Sequence, residues 1–395
     1  MSGDCSKRSV VVIGAGVIGA SIAYYLARTG AQVTVIDRIG PSAGASGASD
    51  GSVSVATKAP GVLMNLAIRS REQYVGLADK GGVMQGAYFS RSTFLAAAND
   101  WEVAAMHAQA DELSRAGVSL KVTEGSDIQK SIPCLASNIS GLVEVQGEGH
   151  AVGYKVVDRF LRASGAKVIC EASALKLQPG VKSGRGPTVQ TSEGVIEADD
   201  VVVAAGLGSN ALLPWLNLWP RRGQLIVTER RRSVYKLPGN FIFASYLLEK
   251  KKADVGQSVD SGSAARACAL VIDPLPYDQY LIGGTREEDD DDQHTEFAAV
   301  QRILARAVEY MPFLGEMSVI RVFAGVRAAT PDGLPYLGQV KEAPGLWVAT
   351  GFEGDGICLA PLAGDAMARM MAGKDIPPGV EALAPDSPQR KRRES

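Results

Sequence analysis

Residues 9–37 read SVVVIGAGVIGASIAYYLARTGAQVTVID. The first five are rich in β-branched side chains, which suits a short strand buried on both faces. GAGVIG follows, with Gly14, Gly16 and Gly19 in the G-x-G-x-x-G spacing. ASIAYYLARTG then has the composition of a helix that stops near Gly30, and QVTVI forms a second strand leading into Asp37. Each part has a mechanical reason. Gly14 permits a tight turn, Gly16 lets backbone approach a pyrophosphate, and Gly19 lets helix and strand pack closely. The helix N-terminus, with Val17 and Ile18 in its first turn, offers free N–H groups and a partial positive charge to phosphates. Asp37 lies at the end of the second strand, where a carboxylate can accept hydrogen bonds from an adenosine ribose and would repel a 2′-phosphate. Set between strand and helix, with the acid in place, the glycine triplet predicts a dinucleotide site.

Working outward, residues 40–52 (GPSAGASGASDGS) form a small-residue loop directly after Asp37. A plain NAD domain would usually continue with another simple β-α unit. This loop instead crosses near the pyrophosphate, with Ser46, Gly47 and Ser49 small enough for close contacts. Residues 61–78 and 99–116 read as helices, the first with Leu63, Leu66, Ser70, Tyr74 and Leu77 roughly on one face. KVVDRFLRASGA, residues 155–166, reads as a third helix. Buried strand 201–204 opens at Gly206 and returns to the first sheet. Residues 221–229 are a strand leaving it, and 296–311 are a further helix. Two charge runs, Lys250–Lys252 and REEDDDD at 286–292, read as solvated surface. The proline- and charge-rich residues 376–395 read as an irregular or frayed tail.

Two distant segments carry chemistry. In VIRVFAGVRAATPDGLPYLG (319–338), Arg321, Phe323, Gly325 and Arg327 share one face by two-residue periodicity. Gly325 removes bulk beside Arg327, whose guanidinium could hold a carboxylate through two parallel hydrogen bonds. In GLWVATGFEGDGICLAPLAGDAMARMMAG (345–373), a buried strand, a glycine loop and a helix recur. That helix N-terminus can face a flavin ring where negative charge develops on reduction. One phosphate-facing helix and one ring-facing helix suit FAD, whereas a nicotinamide enzyme has no need for the second.

Together these segments resemble the D-amino-acid oxidase/glycine oxidase (DAO) family of flavoproteins, from about residue 9 to residue 373. The loops DGSVSVATKAPG (50–61) and EGDGI (353–357) resemble those of the opine oxidase and D-hydroxyproline dehydrogenase catalytic subunits. The resemblance implies that Gly14, Gly16 and Gly19 hold the pyrophosphate, with Asp37 and Arg38 at the adenosine end. Ser46, Gly47 and Ser49 would follow the phosphates and ribityl chain, and Ala174 would contact adenine through its backbone. Ala205 and Gly206 would be the second nucleotide-contacting strand end. Arg327, beside Gly325, would bind the substrate carboxylate. Gly351, Glu353, Gly354, Asp355, Gly356 and Ile357 would form the loop over the flavin ring. Phe352 stands where many relatives carry histidine.

The expected fold is α/β with an α+β substrate part: a discontinuous Rossmann-like FAD-binding domain and an interleaved mixed-sheet substrate domain. The expected FAD-binding pieces are 1–82, 150–220 and 320–380. The substrate pieces are 83–149 and 221–319, and 381–395 are tail. The expected activity is oxidation of the C–N bond of an amino acid or secondary amine, by hydride transfer to flavin N5, giving an imine that hydrolyses. Two rivals stay open: an NAD-dependent dehydrogenase, and a non-catalytic or electron-passing flavin subunit of a heteromeric dehydrogenase. A net charge of −2 argues against nucleic acid as a partner. Five scattered cysteines without a CxxC pair suggest no zinc site and fit a reduced, cytoplasmic compartment. No context for covalent attachment is present, so the FAD is expected to be non-covalent. No stretch reaches the roughly 18 apolar residues of a membrane span. Partner subunits, a homo-oligomer and a peripheral membrane contact remain open.

Overall fold

The computed structural model describes residues 8–180, 186–231, 235–247, 270–388 and 390. Strand β1 (Ser9–Ile13) lies inside a six-stranded sheet, flanked in parallel by β2 (Gln32–Ile36) and Asp200–Val203. Lys167–Ile169 extends one side in parallel. Leu346–Thr350 extends the other, and Tyr336–Gln339 closes that edge antiparallel. Both faces of β1 are covered, as its unbroken run of β-branched residues requires. Val10 and Val12 pack in the core that contains α1 (Val17–Arg28) and helices Gly153–Ser164 and Gly356–Met371. Val11 and Ile13 pack against Val189, Leu177 and Ile196 of a three-stranded antiparallel sheet.

α1 and the Gly356–Met371 helix approach closely because Gly364 carries no side chain. A Cβ there would lie 2.4 Å from Ser21 Oγ and 2.7 Å from the Tyr25 ring. Pro361 sits inside that helix and cannot donate to the carbonyl of Ile357. The hydroxyl of Tyr74, from α2 (Val62–Ala78), donates to that carbonyl at 2.7 Å and so satisfies it.

The second sheet has nine strands. Val319–Ala329 runs antiparallel to Trp219–Thr228 along almost its whole length, and the order continues through 279–283, 271–275, 239–243, 92–97, 141–145 and 120–124. One face packs on helix Phe297–Tyr310. There Phe243 stacks on Tyr310 at 4.3 Å and Phe94 stacks on Phe241 at 4.9 Å. Two-residue alternation divides the adjacent arginines of Trp219–Thr228 between the faces. Arg222 points to the helix side with Glu287 and Glu296, and Arg221 to the other with Glu353.

Three expectations need correction. The domain boundary at 320 falls inside Val319–Ala329, a strand belonging wholly to the nine-stranded sheet; the return to the first sheet comes after Ala329. The acidic run at 286–292 is not simply solvated surface. Arg222, 1% exposed, draws in Glu287 at 2.8 Å, Asp290 at 2.9 Å and Asp292 at 3.6 Å, with Glu296 closing the cluster. The tail is not frayed through 390. The guanidinium of Arg390 lies 3.6 Å from the Tyr336 ring centroid, pairs with Asp332 at 3.0 Å and donates to Leu334 and Pro335 carbonyls. The Lys250–Lys252 run lies outside the described residues. Among the described residues, no helix is long and apolar enough to cross a membrane.

Removing Arg222 leaves its acids facing one another around a buried position. Arg222→Met is expected to lower the unfolding free energy by about 3 kcal/mol, read as a lower urea midpoint at unchanged slope. A loss below about 1 kcal/mol would place these acids among ordinary surface pairs.

Candidate active site

Three glycine-bearing turns and one sheet face converge where the two sheets meet. Gly14 holds φ +110°, and a Cβ there would strike the Ala204 carbonyl at 2.4 Å. A Cβ on Gly19 would lie 1.9 Å from the Gly14 carbonyl oxygen, so turn and helix are as close as backbone allows. Gly16 is the N-cap of α1 and makes no side-chain cap hydrogen bond. Val17 and Ile18, both buried, begin the helix, and Ser46 Oγ accepts from Val17 N at 2.9 Å. Ser49 Oγ donates to the Ser46 carbonyl at 3.0 Å, and Gly47 packs on the Ser42 carbonyl. The small-residue loop thus lies directly on the N-terminus of α1.

The carboxylate of Asp37 is more committed than its position in sequence suggested. Oδ2 accepts from Ala15 N at 2.8 Å; Oδ1 accepts from Ile39 N at 2.9 Å and Gly40 N at 2.8 Å. One lone pair on Oδ2 remains for a ligand hydroxyl. Arg38 is exposed. Ala174 opens the three-stranded sheet, two residues after Ala172, whose N–H donates to the Asp37 carbonyl at 3.0 Å. Ala205 and Gly206 follow strand Asp200–Val203, and Thr350 Oγ1 donates to the Gly206 carbonyl at 2.9 Å.

The carboxyl-terminal loop closes the same site. Gly351 holds φ +75° against Thr330, and Asp355 is the N-cap of helix Gly356–Met371. A Cβ on Gly356 would lie 3.8 Å from Val17 Cγ1, so the N-termini of the two long helices are neighbours. The Ile357 side chain reaches Gly153 beside Ser46 and Ser49. Lys58, 7% exposed, pairs with Asp355; burial works against its charge, but Asp355 more than compensates and raises its pKa.

On the sheet face, the predicted row stands. Arg321, Phe323, Gly325 and Arg327 face Val227, Leu225, Gly223 and Arg221 across the strand pair. Gly325 packs on Ala48 of the loop, where a Cβ would lie 2.9 Å from the Ala48 carbonyl oxygen. The guanidinium of Arg327 rests over Gly223, within 2.7–3.0 Å of where a Cβ would stand, and beside Gly354. Arg327 is half-buried and makes no hydrogen bond or ion pair with the described residues.

Its neighbours are all paired. Arg221 binds Glu353 and, at 2.6 Å, Glu288; Arg286 binds Glu353 at 3.1 Å and approaches Glu288 at 3.5 Å. Burial works against the Glu353 charge, yet Arg286 and Arg221, with Arg327 beyond, hold its pKa down to about 2. Sequence reasoning found Arg327 and Glu353 but missed Arg221, Arg286 and Lys58. The one signal was the RRGQ start of a strand, two charges where burial was expected.

The comparisons with known proteins agree with this geometry. Residues 9–370 match the family model described as FAD dependent oxidoreductase, DAO. The chain belongs to that family. It is 25% identical over 386 residues to glycine oxidase of Geobacillus kaustophilus, covering 93% of this chain and 94% of that one. It is 28% identical over 389 residues to glycine oxidase of Pseudomonas aeruginosa, covering 93% and 95%. The solved glycine oxidase of Bacillus cereus superposes with a TM-score of 0.83 at 25% identity, over 98% of this chain and all of that one. The protein is an FAD-dependent oxidoreductase, and the residues present fit the cofactor. Two helix N-termini lie side by side, glycines leave backbone free to approach, and an acid with a spare lone pair stands at the end of β2.

Gly223→Ala is expected to displace the Arg327 guanidinium. It should weaken carboxylate-ligand binding roughly tenfold while the bound FAD absorbance stays unchanged. Equal loss of FAD would mean that the glycine serves the fold alone.

Proposed function

We infer that this protein oxidises the C–N bond of an amino acid or related secondary amine. The observation that carries this reading is Arg327, a guanidinium with no hydrogen bond or ion pair among the described residues, on a sheet face beside the loop at Gly354. A charge so placed is costly unless a ligand answers it, and a carboxylate answers it with two parallel hydrogen bonds. The names of the relatives point the same way: glycine oxidases act on a small amino acid.

The division of labour follows. Gly14, Gly16 and Gly19, with Val17, Ile18, Ser46, Gly47 and Ser49, would hold the pyrophosphate and ribityl chain. Asp37 and Arg38 would hold the adenosine end with Ala174, Ala205 and Gly206. Gly351 and Glu353 to Ile357 would lie along the flavin ring. FAD, when bound, would supply a hydride acceptor for the carbon next to nitrogen, and the imine so formed would hydrolyse in water. The chain's own part is orientation. Arg327 fixes the carboxylate, so the carbon beside it is presented in one pose. Gly223 leaves room for the guanidinium, and Gly325 leaves room for the loop at Ala48. No described histidine is needed as a base. His150 is 1% exposed, held neutral by burial and by Arg91, with its pKa lowered to about 3; His107 pairs with Glu124.

An electron-passing subunit would have no use for an uncommitted guanidinium over a glycine, so the catalytic reading is preferred. The test is an anaerobic absorbance titration against glycine, sarcosine, D-alanine, D-proline, cis-4-hydroxy-D-proline and octopine. One or more should bleach the flavin band near ~450 nm. Arg327→Ala should cost about 3 kcal/mol in kcat/KM, roughly a hundredfold, for carboxylate substrates. An unchanged kcat/KM would remove Arg327 from the substrate site.

A further inference from the structure

The charge around Glu353 can be counted. Arg221, Arg286 and Arg327 supply three positive charges; Glu288 and Glu353 supply two negative ones. Lys58 and Asp355 cancel each other beside them. The surplus is one charge, and it sits on Arg327, the guanidinium without a partner among the described residues.

Glu353 is placed at a backbone cost. Its φ is +47°, a left-handed conformation that a non-glycine residue rarely adopts, between Phe352 and Gly354. Its N–H donates to the Ala328 carbonyl at 3.0 Å, which anchors the loop to the residue after Arg327. That conformation sends the carboxylate onto Arg221 and Arg286 at once. Two guanidinium groups that could otherwise grip a ligand are therefore occupied from within.

We propose that Glu353 is a specificity-determining residue that stands in for a second substrate carboxylate, so the site accepts amino acids and amines bearing one carboxylate and rejects those bearing two. The proposal rests on the reading of Arg327 as the substrate-carboxylate site. A monocarboxylate balances the surplus charge. A dicarboxylate brings a second negative charge against Glu353 and finds Arg221 and Arg286 already occupied. Rejection arises from that unpaired charge.

The test uses the FAD-loaded full chain and two ligands of equal length, butyrate and succinate. Binding is read by perturbation of the flavin spectrum and by calorimetry, without turnover. The wild-type protein is expected to bind butyrate at least tenfold more tightly than succinate. Glu353→Gln, nearly the same shape, should bind succinate at least tenfold more tightly than wild type does and change butyrate binding less than threefold. Arg286→Met added to Glu353→Gln restores the surplus of one and should restore the wild-type preference. Wild-type protein that binds succinate as tightly as butyrate overturns the proposal, whatever the variants do. So does a Glu353→Gln protein that keeps its FAD and its selectivity. Arg327→Ala separates the two claims. If it still binds butyrate, the carboxylate site itself is misplaced; if it loses butyrate while Glu353→Gln leaves selectivity intact, only the role of Glu353 fails.

Discussion

Arg221 and Arg327 stand directly opposite each other on neighbouring antiparallel strands. Like charges so paired repel, and a sheet cannot relieve them by slipping without moving every other side chain to the wrong face. The fold answers with Glu353, brought from the far sheet by the loop after Leu346–Thr350. That answer joins the two halves of the molecule. The loop that supplies the counter-charge also donates its Glu353 N–H to the substrate sheet, and it leads into the helix whose N-terminus adjoins α1. An ionic contact and a backbone hydrogen bond thus tie the nine-stranded sheet to the loop that leaves the six-stranded one.

Glycine makes the contact geometrically feasible. Gly223 and Gly325 face each other two pairs along from the arginines, on the same face of the sheet. The first gives the Arg327 guanidinium a floor; the second lets Ala48 and its loop press against the strand. A side chain at Gly223 would strike the Arg327 guanidinium, and one at Gly325 would strike the Ala48 backbone. Glycine costs strand stability, and here the loss is offset by close approach of groups that act together.

Local patterns were legible in the sequence, and distant pairings were not. The SVVVI–GAGVIG–helix–Asp37 unit declares itself because strand, turn and helix are neighbours along the chain. The Arg321–Phe323–Gly325–Arg327 row does so because two-residue alternation is a property of the strand itself. Nothing local says that Arg222 collects Glu287, Asp290, Asp292 and Glu296, so DDDD reads as surface when part of it encloses a buried cation. Likewise a proline-rich end reads as loose until Tyr336 and Asp332, more than fifty residues away, are seen to hold Arg390. The boundary at 320 was misread for the related reason that a strand's sheet is chosen by its partner. Val319–Ala329 pairs with Trp219–Thr228, about a hundred residues earlier.

The two halves are therefore built on different physics. The nucleotide sheet relies on backbone: positive φ at Gly14 and Gly351, helix N-termini, and a carboxylate satisfied mostly by main-chain N–H groups. Such a site is indifferent to most side-chain changes and keeps one cofactor. The substrate face relies on charge balance among side chains that each come from a different strand or loop. On the proposed reading, one substitution there would change what is left over for a ligand while the glycine turns stay in place. A family with one cofactor and many amine substrates follows naturally from that separation, since specificity can be rewritten on the sheet face while the glycine turns stay as they are.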